Sequence, residues 1–99
     1  MKHWILEGHA IKETDLMTWA EWFEHADRRV ALDKVGTVRV STVFLGIDHN
    51  FGLGGPPLLF ETMVFPHKGW TESAVDRYAT WAEAEAGHAA MLKHMQEQP

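Results

Sequence analysis

Three features of the sequence predict an α+β domain, a mainly antiparallel sheet with two helices packed on it. Apolar residues recur at helical spacing in two stretches, around residues 14–26 and 80–96. The segments around them have strand-length apolar or alternating patterns. Connections between segments are short, which allows hairpins and leaves no room for helical crossovers. The expected order is β, β, α, β, β, β, β, α, and at 99 residues the chain is expected to form one domain spanning 1–99.

The first stretch, "HWILEGHAIKET", reads as two strands around Glu7-Gly8, because glycine supplies the positive φ of a tight hairpin. In "TDLMTWAEWFEHADRR", Thr14 or Asp15 is placed to accept a hydrogen bond from the first helical amides. Leu16, Trp19, Ala20, Phe23 and Ala26 then form one apolar stripe, with Glu21, Glu24 and His25 largely outside it. Met17 and Trp22 widen the stripe, which predicts a helix covered by more than a single sheet.

Two strands joined near Asp33 to Gly36 are expected from "RVALDKVGTVRVSTVFLGID". Val38 and Val40 share one face while Val43, Leu45 and Ile47 share the other, a change of phase around Ser41-Thr42 that a β-bulge or two buried faces would produce. "LLFETMVF" is apolar on both sides apart from Glu61 and Thr62, and these two segments are expected to be the central strands. Between them "DHNFGLGGPP", with three glycines and two prolines, reads as a long hairpin loop. "PHKGWTESA" is a second irregular stretch before a short strand in "VDRYAT". Thr80-Trp81-Ala82-Glu83 matches the capping box and opens a helix to about Gln96, interrupted only by Gly87.

Composition narrows the function classes. With 45% hydrophobic and 23% charged residues the chain is typical of a globular protein. No apolar run reaches the roughly 18 residues that cross a bilayer, and "MKHWILEGHA" lacks the apolar segment of a signal peptide, so no membrane association and a cytoplasmic location are expected. The absence of cysteine excludes disulfides, thiol nucleophiles and thiolate zinc sites. A net charge of −5 and nine scattered Lys and Arg residues argue against nucleic acid as a partner.

Candidate polar residues cluster around the central strands. If Asp48 pairs roughly opposite Leu58, Glu61 lies about 10 Å from the loop end at about 3.3 Å per residue. One ion binds its ligands at about 2.0–2.6 Å, so Asp48, His49 and Glu61 are not expected to share a metal. Asp48, His49 and Asn50 read foremost as turn residues whose side chains bond nearby amides. Glu61 shares a strand face with Leu59, Met63 and Phe65 and needs a donor there, with Arg39 and Arg77 as the expected partners. His88 falls on the apolar side of the second helix with Ala84, Met91, Leu92 and Met95, as a core histidine with one satisfied hydrogen bond. Packing beside Arg77 and Tyr78 would put all three around one pocket.

No nucleophile motif, HExxH or phosphate-cradling loop is present, and "GLGG" leads into Pro-Pro and a strand instead of a helix. No catalytic residue, metal or cofactor is therefore expected. Five tryptophans are many for this length. Trp70, beside Gly69 in an irregular loop, is expected to be exposed, and the aromatic surplus points to self-association as a homodimer.

The ordered blocks "TWAEWFE", "RRVALDKVG", "VSTVFLGIDHNFG", "PPLLFETMVF" and "RYATWAEAEAGH" make the chain resemble a family of small uncharacterised proteins of bacteriophages and prophage regions. The resemblance covers nearly the whole chain and is most distinctive from Ser41 to Phe65. It implies a cytoplasmic setting and binding to a host or phage protein. The expected function is thus a phage-type accessory protein acting as a non-catalytic binding or protein-interaction module. Its binding residues are expected among Asp48, His49, Asn50, Glu61, Trp70, Arg77 and His88. The alternative is a small ligand-binding domain or enzyme using Asp48, His49, Glu61, Arg77 and His88.

Overall fold

In a computed structural model of the chain, which describes residues 2–50, 53–66 and 74–97, the elements follow in the expected order. They are β1 (His3–Glu7), β2 (Ala10–Thr14), α1 (Leu16–His25), β3 (Arg29–Val35), β4 (Val38–Phe44), β5 (Phe60–Phe65), β6 (Ala74–Tyr78) and α2 (Trp81–Gln96). The architecture is α+β. Strands β3 to β6 form a four-stranded antiparallel sheet in the order β3-β4-β5-β6, which puts β4 and β5 at its centre as expected. Strands β1 and β2 form a separate two-stranded ribbon.

Ribbon and sheet meet at Gly46. The Trp4 amide donates to the Gly46 carbonyl at 2.9 Å, and His3 forms an isolated bridge with Ile47. Gly46 has φ +79°, and a Cβ there would fall 2.7 Å from the Trp19 indole nitrogen. Only glycine lets the backbone turn here while α1 lies so close. At the other end of the ribbon, His9 stacks on Trp81 with ring centroids 3.8 Å apart.

Helix α2 lies across all four strands of the main sheet. On the face it covers, called the inner face below, Val40, Thr42 and Phe44 of β4 and Phe60, Thr62 and Val64 of β5 are fully buried. Phe44, Leu59, Phe60 and Ala84 make the core cluster, with Trp4, Trp22, Tyr78 and Trp81 packed around it. Each fully buried phenylalanine contributes about 1.5–3 kcal/mol, so this cluster dominates the stability of the fold.

Both helix starts follow local rules. The Asp15 carboxylate accepts from the Thr18 amide at 2.8 Å and from the Thr18 hydroxyl at 2.9 Å, and these bonds hold its pKa below the ordinary aspartate value. The Thr80 hydroxyl accepts from the Glu83 amide and donates to the Glu83 carboxylate, each at 3.1 Å.

Three expectations change. Strand β4 has no bulge, because its register with β5 is unbroken from Arg39 to Phe44. Phe44 continues the inner row begun by Val38 and Val40, and the row looked interrupted only because Thr42, a polar residue, occupies one of its core positions. The irregularity lies instead in β3, between Arg29 and Ala31. The β3–β4 turn falls at Gly36, after Val35, so Asp33 is a strand residue. Finally, α1 is covered less than expected: it packs on β1 and sets Trp22 against Phe44 of the main sheet, but none of its residues is fully buried, and Leu16 and Met17 are 55% and 77% exposed. Among the described residues no helix is long and apolar enough to cross a membrane.

Candidate functional site

The inner face holds a continuous chain of polar side chains. Thr42 and Thr62 sit directly opposite each other on β4 and β5, with their hydroxyl oxygens 2.5 Å apart. His88 descends from α2 and places Nδ1 2.7 Å from the Thr42 hydroxyl. Its Nε2 lies 2.8 Å from a carboxylate oxygen of Asp33 on β3. A carboxylate only accepts, so Nε2 carries a proton toward Asp33; in the neutral imidazole Nδ1 accepts from Thr42, whose oxygen in turn accepts from Thr62. Every donor then points toward Asp33.

Thr42 and Thr62 are fully buried and His88 is 4% exposed, whereas the Asp33 side chain is 51% exposed. The chain meets water at its carboxylate end. Beyond Thr62 stands Tyr78, directly opposite Phe60, with a buried hydroxyl. Burial raises the Tyr78 pKa above the ordinary phenol value; the charge of Asp76 acts in the same direction and the Thr62 hydroxyl opposes it. A raised folded-state pKa means that stability is intact below the unfolded value near 10 and falls as pH rises through the folded value. Tyr78 is the only tyrosine in the chain, so tyrosinate ultraviolet absorbance reads it alone. Its midpoint is expected above that of the urea-unfolded chain, and Tyr78→Phe should remove this part of the alkaline destabilisation.

A hydroxyl, an imidazole and a carboxylate in this order have the sequence of an acid–base relay. The resemblance ends at access. Thr42 has no exposed surface, and its oxygen is already engaged by Thr62 and His88, so no electrophile can reach it. What the arrangement does is satisfy polar groups beneath a helix, tying α2 to three strands of the sheet.

The residues expected to act together are dispersed. Asp48 accepts from the amides of Asn50 at 2.7 Å and Leu58 at 2.8 Å, clamping both ends of the loop. The Asn50 side-chain amide donates to the Gly54 carbonyl, and His49 Nδ1 lies 3.2 Å from the Ile47 carbonyl. These are the turn bonds that the residue types suggested. Asp48→Ala removes the acceptor for two amides and is expected to cost about 1–2 kcal/mol by chemical denaturation, with Asp48→Asn retaining most of it.

Glu61 pairs with Arg77 at 2.8 Å, directly across β5 and β6, on the face of the sheet away from α2. Arg39, the other expected partner, stands 5.3 Å above the Phe65 ring. The expected pocket of Arg77, Tyr78 and His88 does not form, because Arg77 and Tyr78 are consecutive in a strand and point to opposite faces. His88 makes two hydrogen bonds instead of one. Trp70 lies outside the described residues. The other four tryptophans are packed within the chain: Trp4, Trp22 and Trp81 against the core, and Trp19 against Phe23 and His3. Among the described residues no group of three His, Asp or Glu could hold a metal ion.

Asp33, Thr42 and Thr62 escaped the sequence reading. The available signal was a pair of threonines, each taking a core position in an otherwise apolar row, together with a histidine on the apolar face of a helix. No protein-family model, curated protein or solved structure matches the chain.

Proposed function

We propose that the protein is a phage-type accessory protein acting as a non-catalytic protein-interaction module, with self-association as one of its contacts. One observation carries this reading: among the described residues, the constellation with the sequence of an acid–base relay has its hydroxyls and imidazole buried under α2, while neither helix covers the opposite face of the main sheet. The dispersal of Asp48, His49, Glu61, Arg77 and His88 over a loop, an outer face and a core supports it further. A partner protein needs a displayed surface, which this sheet offers; a small substrate needs converging groups.

Light scattering across a range of protein concentrations tests the self-association, with a mass that rises toward the dimer expected. A strict monomer at high concentration removes that part. The non-catalytic part is tested by thermal shift against divalent metals and nucleotides. A specific ligand at a hundred times its dissociation constant would add about 2.7 kcal/mol of apparent stability, and such a response would replace this reading with the ligand-binding alternative.

A further inference from the structure

We propose that the face of the main sheet turned away from α2 docks an acidic amphipathic helix of a partner protein. The proposal rests on the interaction-module reading and specifies its surface and partner class.

Strand register arranges this outer face in three cross-strand rows. The middle row, Leu32, Ser41, Met63 and Val75, is mostly apolar and runs across all four strands, with Leu32 46% and Val75 40% exposed. On one side of it a row begins with Arg29 and ends with Arg77. On the other side Lys34 and Arg39 stand next to each other, followed by Phe65. Although the chain carries a net charge of −5, four of its nine Lys and Arg residues gather here. Glu61, already paired with Arg77, is the one carboxylate at these strand positions.

The dimensions suit a helix. Strands about 4.8 Å apart make the middle row about 14 Å long, and along β4, where the flanking rows lie at Arg39 and Val43, the two rows are about 13 Å apart. A helix is about 10–12 Å across and rises 1.5 Å per residue, so about ten residues fill the row. Its apolar stripe would cover Leu32, Met63 and Val75, and Asp or Glu on either flank would meet the cations. The same charges disfavour a second copy using this face, since a two-fold contact sets each cationic patch against its equivalent.

The test uses a fluorescein-labelled peptide of about fifteen residues, one helical face Leu and its flanks Glu, compared with a Lys-for-Glu counterpart and with oligo-dT. Fluorescence anisotropy should show binding of the Glu peptide that weakens as salt is raised, with the Lys peptide bound at least tenfold more weakly. Lys34→Glu with Arg39→Glu should weaken the Glu peptide at least tenfold while circular dichroism stays unchanged. If that pair disturbs folding, Arg29→Glu alone, at an exposed position near the sheet edge, should weaken binding at least threefold. No binding of the Glu peptide, equal binding of the two peptides, indifference to the charge reversals, or oligo-dT binding lost with them would each overturn the proposal. None of these results bears on the light-scattering or thermal-shift outcomes, so failure here is distinguishable from failure of the interaction-module reading.

Discussion

Replacing His88 with alanine is expected to destabilise the protein by about 3 kcal/mol, the combined effect of a cavity and of stranded polar partners. For a domain of this size that corresponds to a melting temperature lower by roughly 12–24 °C. The loss is large because His88 is 4% exposed and both of its ring nitrogens are engaged. Removing it leaves Thr42 and Thr62 without a terminal acceptor in a region that water does not reach. Thr42→Val breaks the same chain at the next link and is expected to cost about 1–3 kcal/mol, since the Thr62 hydroxyl and His88 Nδ1 both lose their partner.

The pair of changes separates the causes. When both members of a buried polar contact are replaced by apolar groups of similar volume, most of the desolvation penalty disappears. His88→Leu with Thr42→Val should therefore be less destabilising than the sum of the two single changes, with a coupling of about 1 kcal/mol or more in a double-mutant cycle. A His88→Ala loss below about 1 kcal/mol, or strict additivity in the cycle, would show that the polar chain does not hold α2 to the sheet.

A second large effect is expected at Gly87, with a sign that depends on a neighbour. In an exposed helix, glycine to alanine stabilises by about 1 kcal/mol. Here a Cβ at position 87 would fall 2.2 Å from two carbons of the Tyr78 ring and 2.3 Å from its hydroxyl oxygen. The ring packs against the core cluster and its hydroxyl is buried, which limits how far it can give way. Gly87→Ala is expected to cost about 2–3 kcal/mol, as an overpacked core does. In a Tyr78→Leu background the obstacle is gone, and the same change should become neutral or stabilising by up to about 1 kcal/mol. Denaturant midpoints of the four proteins read the reversal. If Gly87→Ala stabilises the protein with Tyr78 present, the close approach of helix and ring is not what keeps glycine there.

These two sites show where the sequence was sufficient and where it was not. The order of eight elements, the Thr80 cap, the loop chemistry of Asp48 and the central place of β4 and β5 were all legible, because each rests on neighbours in the chain or on the period of a single element. The Glu61 partner was narrowed to two arginines, and register chose between them: Arg77 lies directly opposite on β6, while Arg39 on β4 stands over Phe65. The apparent phase change at Ser41-Thr42 misled because a threonine in a core row looks like the end of that row. Only the facing strand, which puts Thr62 opposite, and the overlying helix, which supplies His88, show it to be a core position.

Gly87 was visible as an interruption, yet its reason is a ring nine residues earlier on another element. The sequence by itself determined the class of fold, its elements and the local bonds that start helices and close loops, since those depend on contacts a few residues apart. Tertiary structure alone decided that Asp33, Thr42, Thr62 and His88 form one chain, that Arg77 faces away from it, and that cations flank an apolar row on the face of the sheet turned away from α2. Such groupings depend on strand register and helix placement, which bring together residues up to 55 positions apart and leave no periodicity for a single segment to reveal.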